Sequence, residues 1–333
     1  MSLYIMRARA VFPKRKGRGQ IVLNEIESVR IESSWKNLTD TAELTLPRKV
    51  LKKTFDKKRV RDIFTKGDYV RIDLGYYDAQ DKRKGLRREF EGYVTEVSAG
   101  MPIRLKLEDE MWKLKQIPVN YASSNVSLKD MLKEILPKYN IQADDKEQLG
   151  KVSYPDTTAA EVLKKLQHEK YIYSWFKGGI LFSGKVYAKD IRVPAHTFHL
   201  ERNAVSNRLQ YRRAEDMKVL IIAVVMCLGK KKECRVGELG GQVYKLHYTS
   251  DDWMTEAILK EKVQHEYELK KSDGLEGSFT AFGKPSVRHS EKVNLRSKIY
   301  EDRNGLYYIE GVIKSFNQQG YRQEIRLGNK VKK

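Results

Sequence analysis

The strongest constraint on what this chain can fold into is a hairpin signal that occurs twice. Tyr307 to Phe316 and Tyr321 to Gly328 are rich in β-branched and aromatic residues and alternate in polarity on either side of Asn317-Gln318-Gln319-Gly320. That is the local pattern of two antiparallel strands. A looser copy lies upstream, where Glu91-Gly92-Tyr93-Val94-Thr95-Glu96-Val97 leads through Ala99-Gly100-Met101-Pro102 into Ile103-Arg104-Leu105-Lys106-Leu107. Both copies start on Glu-Gly and return through Ile-Arg-Leu. Earlier landmarks keep the same order. Thr45-Leu46-Pro47 and Asp68-Tyr69-Val70-Arg71-Ile72 precede one hairpin, and Thr280 to Pro285 and Glu291-Lys292-Val293-Asn294-Leu295 precede the other. The shared order predicts two related β-modules in one chain; unequal gaps leave coincidence as the alternative.

A chain of 333 residues has room for two or three domains. Its net charge of +21 invites a nucleic-acid reading. Most lysines stand beside acids, however, as in Lys260-Glu261-Lys262, and mixed charge of that kind is usually a solvated face. Two cysteines, Cys227 and Cys234, provide no disulfide framework and no zinc-ligand spacing. The opening stretch carries Arg7 and Arg9 among its apolar residues, so it reads as a strand rather than a secretory leader. The longest apolar run, Val219 to Leu228, is far shorter than the roughly 20 residues that cross a bilayer, so a buried strand and no membrane insertion are expected.

Residues 1 to 118 read as β throughout. Two loops there are strongly basic: Lys14, Arg15, Lys16 and Arg18 around Gly17, and Lys82, Arg83, Lys84, Arg87 and Arg88 around Gly85. Either loop could hold phosphate, but neither has the Gly-Lys-Ser/Thr ending of a phosphate loop, and an exposed hairpin tip is the plainer reading. From Ser127 the period becomes helical. Ser127 can cap Leu128 to Leu136 before Pro137, and Thr158 with Glu161 has capping-box spacing ahead of Ala159 to Gln167. A hairpin, Tyr171 to Phe182 with Lys177-Gly178-Gly179 at its turn, completes a small α+β domain over 119 to 195. Its row Tyr171, Tyr173 and Trp175 could stack bases, or could pack over the two helices as core. Strands resume from Thr197 through the apolar run to Gln242–Tyr248, and a helix from Asp252 to Leu269, opened by Ser250 or Asp251, interrupts them.

Catalytic chemistry finds no foothold. The densest acidic cluster, Glu108-Asp109-Glu110, ends a strand and is followed by lysines, and no nucleophile motif is present. His196, His199 and His247 have no carboxylate at metal-ligand spacing, so neither metal nor cofactor is expected. A binding or structural protein, not an enzyme, is the expectation. A cell-wall hydrolase using Glu108 or Asp109 is the enzymatic alternative, and a basic nucleic-acid binder built on two small β-barrels is the alternative from charge.

The residues Phe90 to Val94, Leu107 to Lys115, Thr157 to Tyr173, Gly274 to Pro285, Tyr307 to Val312 and Gly320 to Gly328, in this order, resemble the baseplate hub proteins of contractile tails. That family comprises the phage late control protein D family and the hub half of type VI secretion spike proteins. The resemblance implies a fold that is mainly β with an α+β insert: two similar small β-barrel domains per chain, over 1–118 and 196–333, plus the small helix-hairpin domain over 119–195 and a helical insertion at about 251–270. It implies a homotrimer whose six barrels adapt a six-fold tail tube to a three-fold spike. The spike would be a separate trimeric protein, since the sequence ends after the second barrel. Tail tube or tube-initiator proteins would be further partners, with transient contact to passing DNA. The location implied is the virion tail baseplate or an injection particle, assembled in the bacterial cytoplasm. Edge strands bearing Tyr307, Tyr321, Arg322 and Arg326 are candidates for pairing between subunits; the alternative is that these aromatics fill their own barrel.

Overall fold

The computed structural model describes residues 4–47, 63–78, 85–145, 147–185, 193–227, 230–250 and 255–331. Strand accounts for 57% of the described residues and helix for 16%, so the fold is mainly β. The N-terminal strands are β1 (Tyr4–Phe12), β2 (Ile21–Leu23), β3 (Ser28–Ser34), β4 (Thr41–Leu46), β5 (Tyr69–Asp78), β6 (Leu86–Val97) and β7 (Ile103–Glu108). The middle of the chain holds α1 (Met111–Leu114), β8 (Pro118–Ser127), α2 (Leu128–Ile135), β9 (Asn140–Ala143), β10 (Gln148–Thr158), α3 (Ala159–Lys170), β11 (Tyr173–Lys177) and β12 (Ile180–Gly184). Then come β13 (Ala195–His199), β14 (Ala204–Arg212), β15 (Val219–Cys227), β16 (Lys230–Gly237), β17 (Gln242–Ser250), α4 (Glu256–Lys270), β18 (Gly274–Phe282), β19 (Lys292–Arg296), β20 (Gly305–Asn317) and β21 (Gly320–Lys330).

One 13-stranded sheet runs through both ends of the chain. Its N-terminal part has the order β3-β4-β7-β6-β5-β1, with β2 beyond, and its C-terminal part has the order β14-β18-β21-β20-β19-β13. The same order therefore occurs twice, and the hydrogen bonds align the two parts residue by residue. In the first, Gly67 N donates to Val94 O at 2.7 Å and Val94 N to Asp68 O at 2.9 Å; in the second, Ser290 N donates to Ile309 O at 2.9 Å and Ile309 N to Glu291 O at 2.8 Å. Val94 faces Leu107 and Ile309 faces Leu327, and a bulge follows each pair before Glu96 faces Lys106 and Gly311 faces Arg326. In this register Asp68–Ile72 match Glu291–Leu295, and Thr45 matches Thr280. The Glu-Gly and Ile-Arg-Leu resemblances are out of register: Gly92 matches Tyr307, and Leu105 matches Ile325. One pairing differs in sense, since β1 runs antiparallel to β5 whereas β13 runs parallel to β19.

Each part is organised by an inward apolar row. Along β7, Ile103, Leu105 and Leu107 are buried while Arg104 and Lys106 are exposed, the alternation that a half-buried strand requires. Each such leucine contributes roughly 1.5–3 kcal/mol on burial. The N-terminal core gathers Phe12, Leu44, Ile72, Phe90 and Leu105, and the C-terminal core gathers Phe198, Phe279, Val293, Tyr307 and Ile325. The bulge in β20 shifts its inward face from Tyr307 and Ile309 to Val312, Lys314 and Phe316.

The middle segment folds around a third core on α2 and α3. Ser127 Oγ accepts from Asp130 N, and Thr158 with Glu161 forms a full capping box. The single turn α1 interrupts the otherwise β reading of residues 1 to 118. Two further expectations need correction. The apolar run and Gln242–Tyr248 do not join the large sheet: β15 pairs with β16 and, in parallel, with β17, and this small sheet packs with α4 around its own core. A run apolar on successive positions suits a central strand covered by a helix. The helix itself is capped by Thr255, whose Oγ1 accepts from Ile258 N at 3.3 Å, and Ser250 ends β17. Asp251 and Asp252 lie outside the described residues.

Candidate assembly interface

The two halves of the large sheet meet where β20 pairs with β3, from Gly311 opposite Ser34 to Phe316 opposite Val29. Beyond Val312 opposite Ile325, the β20–β21 hairpin runs on to Phe316 opposite Tyr321, and this extension lies over the N-terminal core, which takes in both aromatic rings. Tyr76 ties the extension down: its hydroxyl donates to Tyr321 O at 2.8 Å and accepts from Gly283 N at 3.2 Å. Ser34 Oγ donates to Glu310 O at 3.0 Å, and Lys36 Nζ lies 2.5 Å from Glu310 Oε2.

The centre of the junction is ionic. Lys314 Nζ bonds Glu89, and it donates to Ser286 Oγ at 2.9 Å while Ser286 Oγ donates to Glu89 Oε1 at 2.7 Å. Burial pulls the Lys314 ammonium below its ordinary value against the opposing pull of Glu89. Around this triad, Arg87 donates to Ser286 O at 3.0 Å and Arg288 to Arg88 O at 2.6 Å. Gln323, fully buried, donates to Phe282 O and Pro285 O and accepts from Val287 N, so one side chain holds the whole 282–287 segment against β21.

The predicted interface residues divide. Tyr307 and Tyr321 are each only 1% exposed and neither lies on an edge strand, since β21 pairs with β18 and β20, and β20 with β21, β19 and β3; Tyr307 fills the C-terminal core and Tyr321 the N-terminal one. Arg322 is half-buried with its guanidinium over the Phe282 ring, and Arg326 is exposed near Glu310. Glu89, Lys314, Gln323 and Tyr76 were not singled out in the sequence, yet they carry the junction. Lys314 had one usable signal, a lysine in the same alternating row as Val312 and Phe316.

The basic loops divide as well. Arg15 and Arg18 both reach the buried Asp68 at 2.8 Å, and Arg18 also donates to Ile63 O and Pro13 O. Burial lowers the Arg18 pKa from its ordinary value, with Asp68 opposing the shift. Lys14 and Lys16 remain exposed. In the second loop Arg87 and Arg88 are exposed but tied to Ser286 O and Glu91, while Lys82, Arg83 and Lys84 lie outside the described residues.

The aromatic row does not pack over the two helices. Tyr173 meets Trp35 edge-on at 4.7 Å, and Trp175 stacks on Phe182 and approaches His289. Ile172 and Phe176 join the helix core instead, and Tyr171 packs against the core of the small sheet and α4. Tyr171 ends α3 at φ 52°. The acidic cluster is structural in its contacts. Glu108 pairs with Lys115 at 2.6 Å, and buried Asp109 accepts from Met111 N at the start of α1. Burial and the Asp40 charge raise the Asp109 pKa well above the carboxylate range. A cleft of about 480 Å³ opens beside it, lined by Tyr69, Glu91, Glu110, Phe176 and Arg288 among others. Among the described residues no group of three His, Cys, Asp or Glu side chains could hold a metal ion, and no helix is long and apolar enough to cross a membrane.

This architecture is that of phage tail proteins. The chain is similar over 97% of its length, and over 96% of the other chain, to the tail protein from Neisseria meningitidis MC58, with a TM-score of 0.67 at 13% identity. It is similar over 97% of its length, and 98% of the other, to the 43 kDa tail protein of prophage MuSo2 from Shewanella oneidensis, with a TM-score of 0.60 at 13% identity. The E. coli c3393 protein, a component of the type VI secretion system structurally similar to the T4 tail proteins gp27 and gp5, aligns over 92% of this chain and 73% of its own with a TM-score of 0.56 at 10% identity. At these identities the likeness is one of fold. No family model matches the sequence, and no curated protein matches it.

Proposed function

We propose that this chain is a structural baseplate hub of a contractile phage tail or of an injection device derived from one. In this reading it is a non-enzymatic homotrimer in which each subunit gives two small β-barrels, so that six barrels meet a six-fold tube while the assembly keeps three-fold symmetry for a separate spike. The first barrel takes residues 1–118 and the second 196–333. The helix-hairpin domain over 119–195 and the insert built from β15, β16, β17 and α4 lie outside the ring. The observation that carries the proposal is the strand order β3-β4-β7-β6-β5-β1 and its repeat β14-β18-β21-β20-β19-β13 within one chain. A repeated sheet lets three subunits offer six similar surfaces.

The tube, the spike and transient DNA are the partners in this reading, and the particle assembles in the bacterial cytoplasm. The nucleic-acid alternative draws on the charge of +21, but the commitment of Arg15 and Arg18 to Asp68 removes two cations from the loop that motivated it. Absolute mass by light scattering at two salt concentrations tests the choice. A salt-insensitive mass approaching three times 38.8 kDa is expected. A monomer or dimer whose DNA binding weakens steeply with salt would replace the hub with the nucleic-acid reading.

A further inference from the structure

Three parts of the chain close on a cavity of about 400 Å³. The large sheet contributes residues of β18 and β21, the helix-hairpin domain contributes Tyr171, Tyr173 and Lys185, and the insert contributes Tyr244 of β17 and the end of α4 at Lys270. That volume falls among sites for small organic ligands, roughly 300–1,000 Å³. The lining is charged rather than oily. Five cations, Lys36, Lys185, Arg212, Lys270 and Arg326, face four carboxylates.

Four of the five cations are already engaged. Lys36 Nζ lies 2.5 Å and Arg326 Nη1 3.9 Å from Glu310, Lys185 Nζ lies 3.6 Å from Glu266, and Arg212 donates to Ser272 O, Ser272 Oγ and Asn329 Oδ1. Lys270 is different. Its ammonium lies 4.8 Å from the Tyr244 ring centroid and 5.6 Å from that of Tyr171, and among the described residues it has neither a hydrogen bond nor an ion pair. The two rings offset part of the cost of holding a cation out of water. An ammonium is nevertheless strongly hydrated, and its three N–H donors call for acceptors. Burial pulls the Lys270 pKa below its ordinary value, with Glu266 opposing the shift. Tyr173 and Tyr244 line the same cavity, and neither hydroxyl has a hydrogen-bond partner among the described residues.

One cation in excess, with unused donors beside it, defines the missing partner as an oxygen-rich anion. A phosphate monoester suits this set better than a carboxylate, because it brings three strong acceptor oxygens to an ammonium and two phenols. Inorganic phosphate alone would leave most of the cavity unfilled. We infer that the cavity binds a phosphomonoester of about nucleotide size, with Lys270, Tyr173 and Tyr244 donating to the phosphate and the polar lining from β18 and β21 facing the rest of the ligand. The cavity lies within one chain, so the inference is independent of the hub reading and of any assembly.

Isothermal titration calorimetry on the full chain tests this with AMP, ribose 5-phosphate, adenosine and inorganic phosphate. AMP is expected to bind more tightly than inorganic phosphate, and adenosine is expected not to bind. Ribose 5-phosphate separates the two sources of the same group: binding as tight as that of AMP assigns a sugar phosphate, and weaker binding assigns a nucleotide. Lys270→Met, which keeps the stem over the two rings, should weaken the preferred ligand by about tenfold or more, since hydrogen bonds to a charged group are the stronger kind. Tyr244→Phe keeps the ring and removes one donor, and a several-fold loss is expected; this variant carries the test if Lys270→Met fails to fold by circular dichroism. No binding of either phosphomonoester at millimolar concentration overturns the inference, as does affinity unchanged in both variants. Inorganic phosphate or adenosine binding as tightly as AMP overturns it too. The mass by light scattering, which decides the hub reading, is untouched by any of these outcomes.

Discussion

The N-terminal and C-terminal halves of the large sheet share strand order, register and even the position of a bulge, yet they treat their edges in opposite ways. The N-terminal half has β3 covered and its core sealed by Phe316 and Tyr321 from the other half. In the C-terminal half β14 pairs with β18 alone among the described strands. The difference arises in one place. The β6–β7 hairpin turns back after Val97 opposite Leu105, whereas the β20–β21 hairpin continues to Phe316 opposite Tyr321. A sheet scaffold can thus be copied faithfully while the length of one hairpin decides which copy has its edge strand covered within the chain.

The largest effect is expected where that extension is anchored. Lys314→Ala leaves Glu89 buried without its cation, and removing one partner of a buried pair costs about 3–5 kcal/mol. Replacing both, Lys314→Met with Glu89→Met, should recover most of the loss, because two apolar side chains need no desolvation of charge. Denaturant unfolding of the three proteins reads the difference. Equal stability of the single and double variants would mean that the junction is held by β20–β3 pairing rather than by its ionic centre.

A second contrast lies at one register position with opposite requirements. Gly92 and Tyr307 match, but a Cβ on Gly92 would fall 2.1 Å from Glu108 O, whereas the Tyr307 side chain is 1% exposed in the C-terminal core. Chain β7 stops at Glu108 and turns into α1 across the glycine, while β21 runs on to Lys330 and leaves space for a ring. Gly92→Ala should cost about 3 kcal/mol through forced separation of β6 from β7, and Tyr307→Ala about 3–5 kcal/mol through a cavity. If Gly92→Ala unfolds at the same denaturant concentration as the unaltered protein, the close crossing of the two strands is not as described.

The sequence made the repeat visible because order survives where identity does not. Asp68–Ile72 and Glu291–Leu295 could be matched by alternation alone, since both strands follow a carboxylate and keep valine inward at Val70 and Val293. The Glu-Gly pairs misled because the eye aligns identical residues, and the bulges that set the true register have no residue signature in either copy. Capping was equally legible at Ser127 and Thr158, where chemistry within four residues decides the outcome. The interface was not. Glu89, Ser286 and Lys314 come from three strands or loops far apart in sequence, and nothing local distinguishes a lysine that finds a buried carboxylate from one that stays in water. Tyr307 and Tyr321 read as edge residues for the same reason: whether a strand is an edge depends on which strand arrives beside it.

The smallest effect should come from the turn that opens β5 and β19. Gly67 and Ser290 match in register, make the same backbone bond, and both have positive φ, at 90° and 66°. A Cβ on Gly67 would also meet the Trp112 ring at 3.2 Å. Gly67→Ala should therefore cost about 1–2 kcal/mol, since a side chain in the left-handed region is strained and the ring blocks relief. Ser290→Gly should change stability by less than about 0.5 kcal/mol, because release of that strain is offset by the added freedom of glycine in the unfolded chain. Thermal melts of both variants settle whether the two halves share this turn as a common device. A large loss for Ser290→Gly would assign the serine a role of its own, through its 3.1 Å contact with the buried His289, and would separate the two turns in function despite their common geometry.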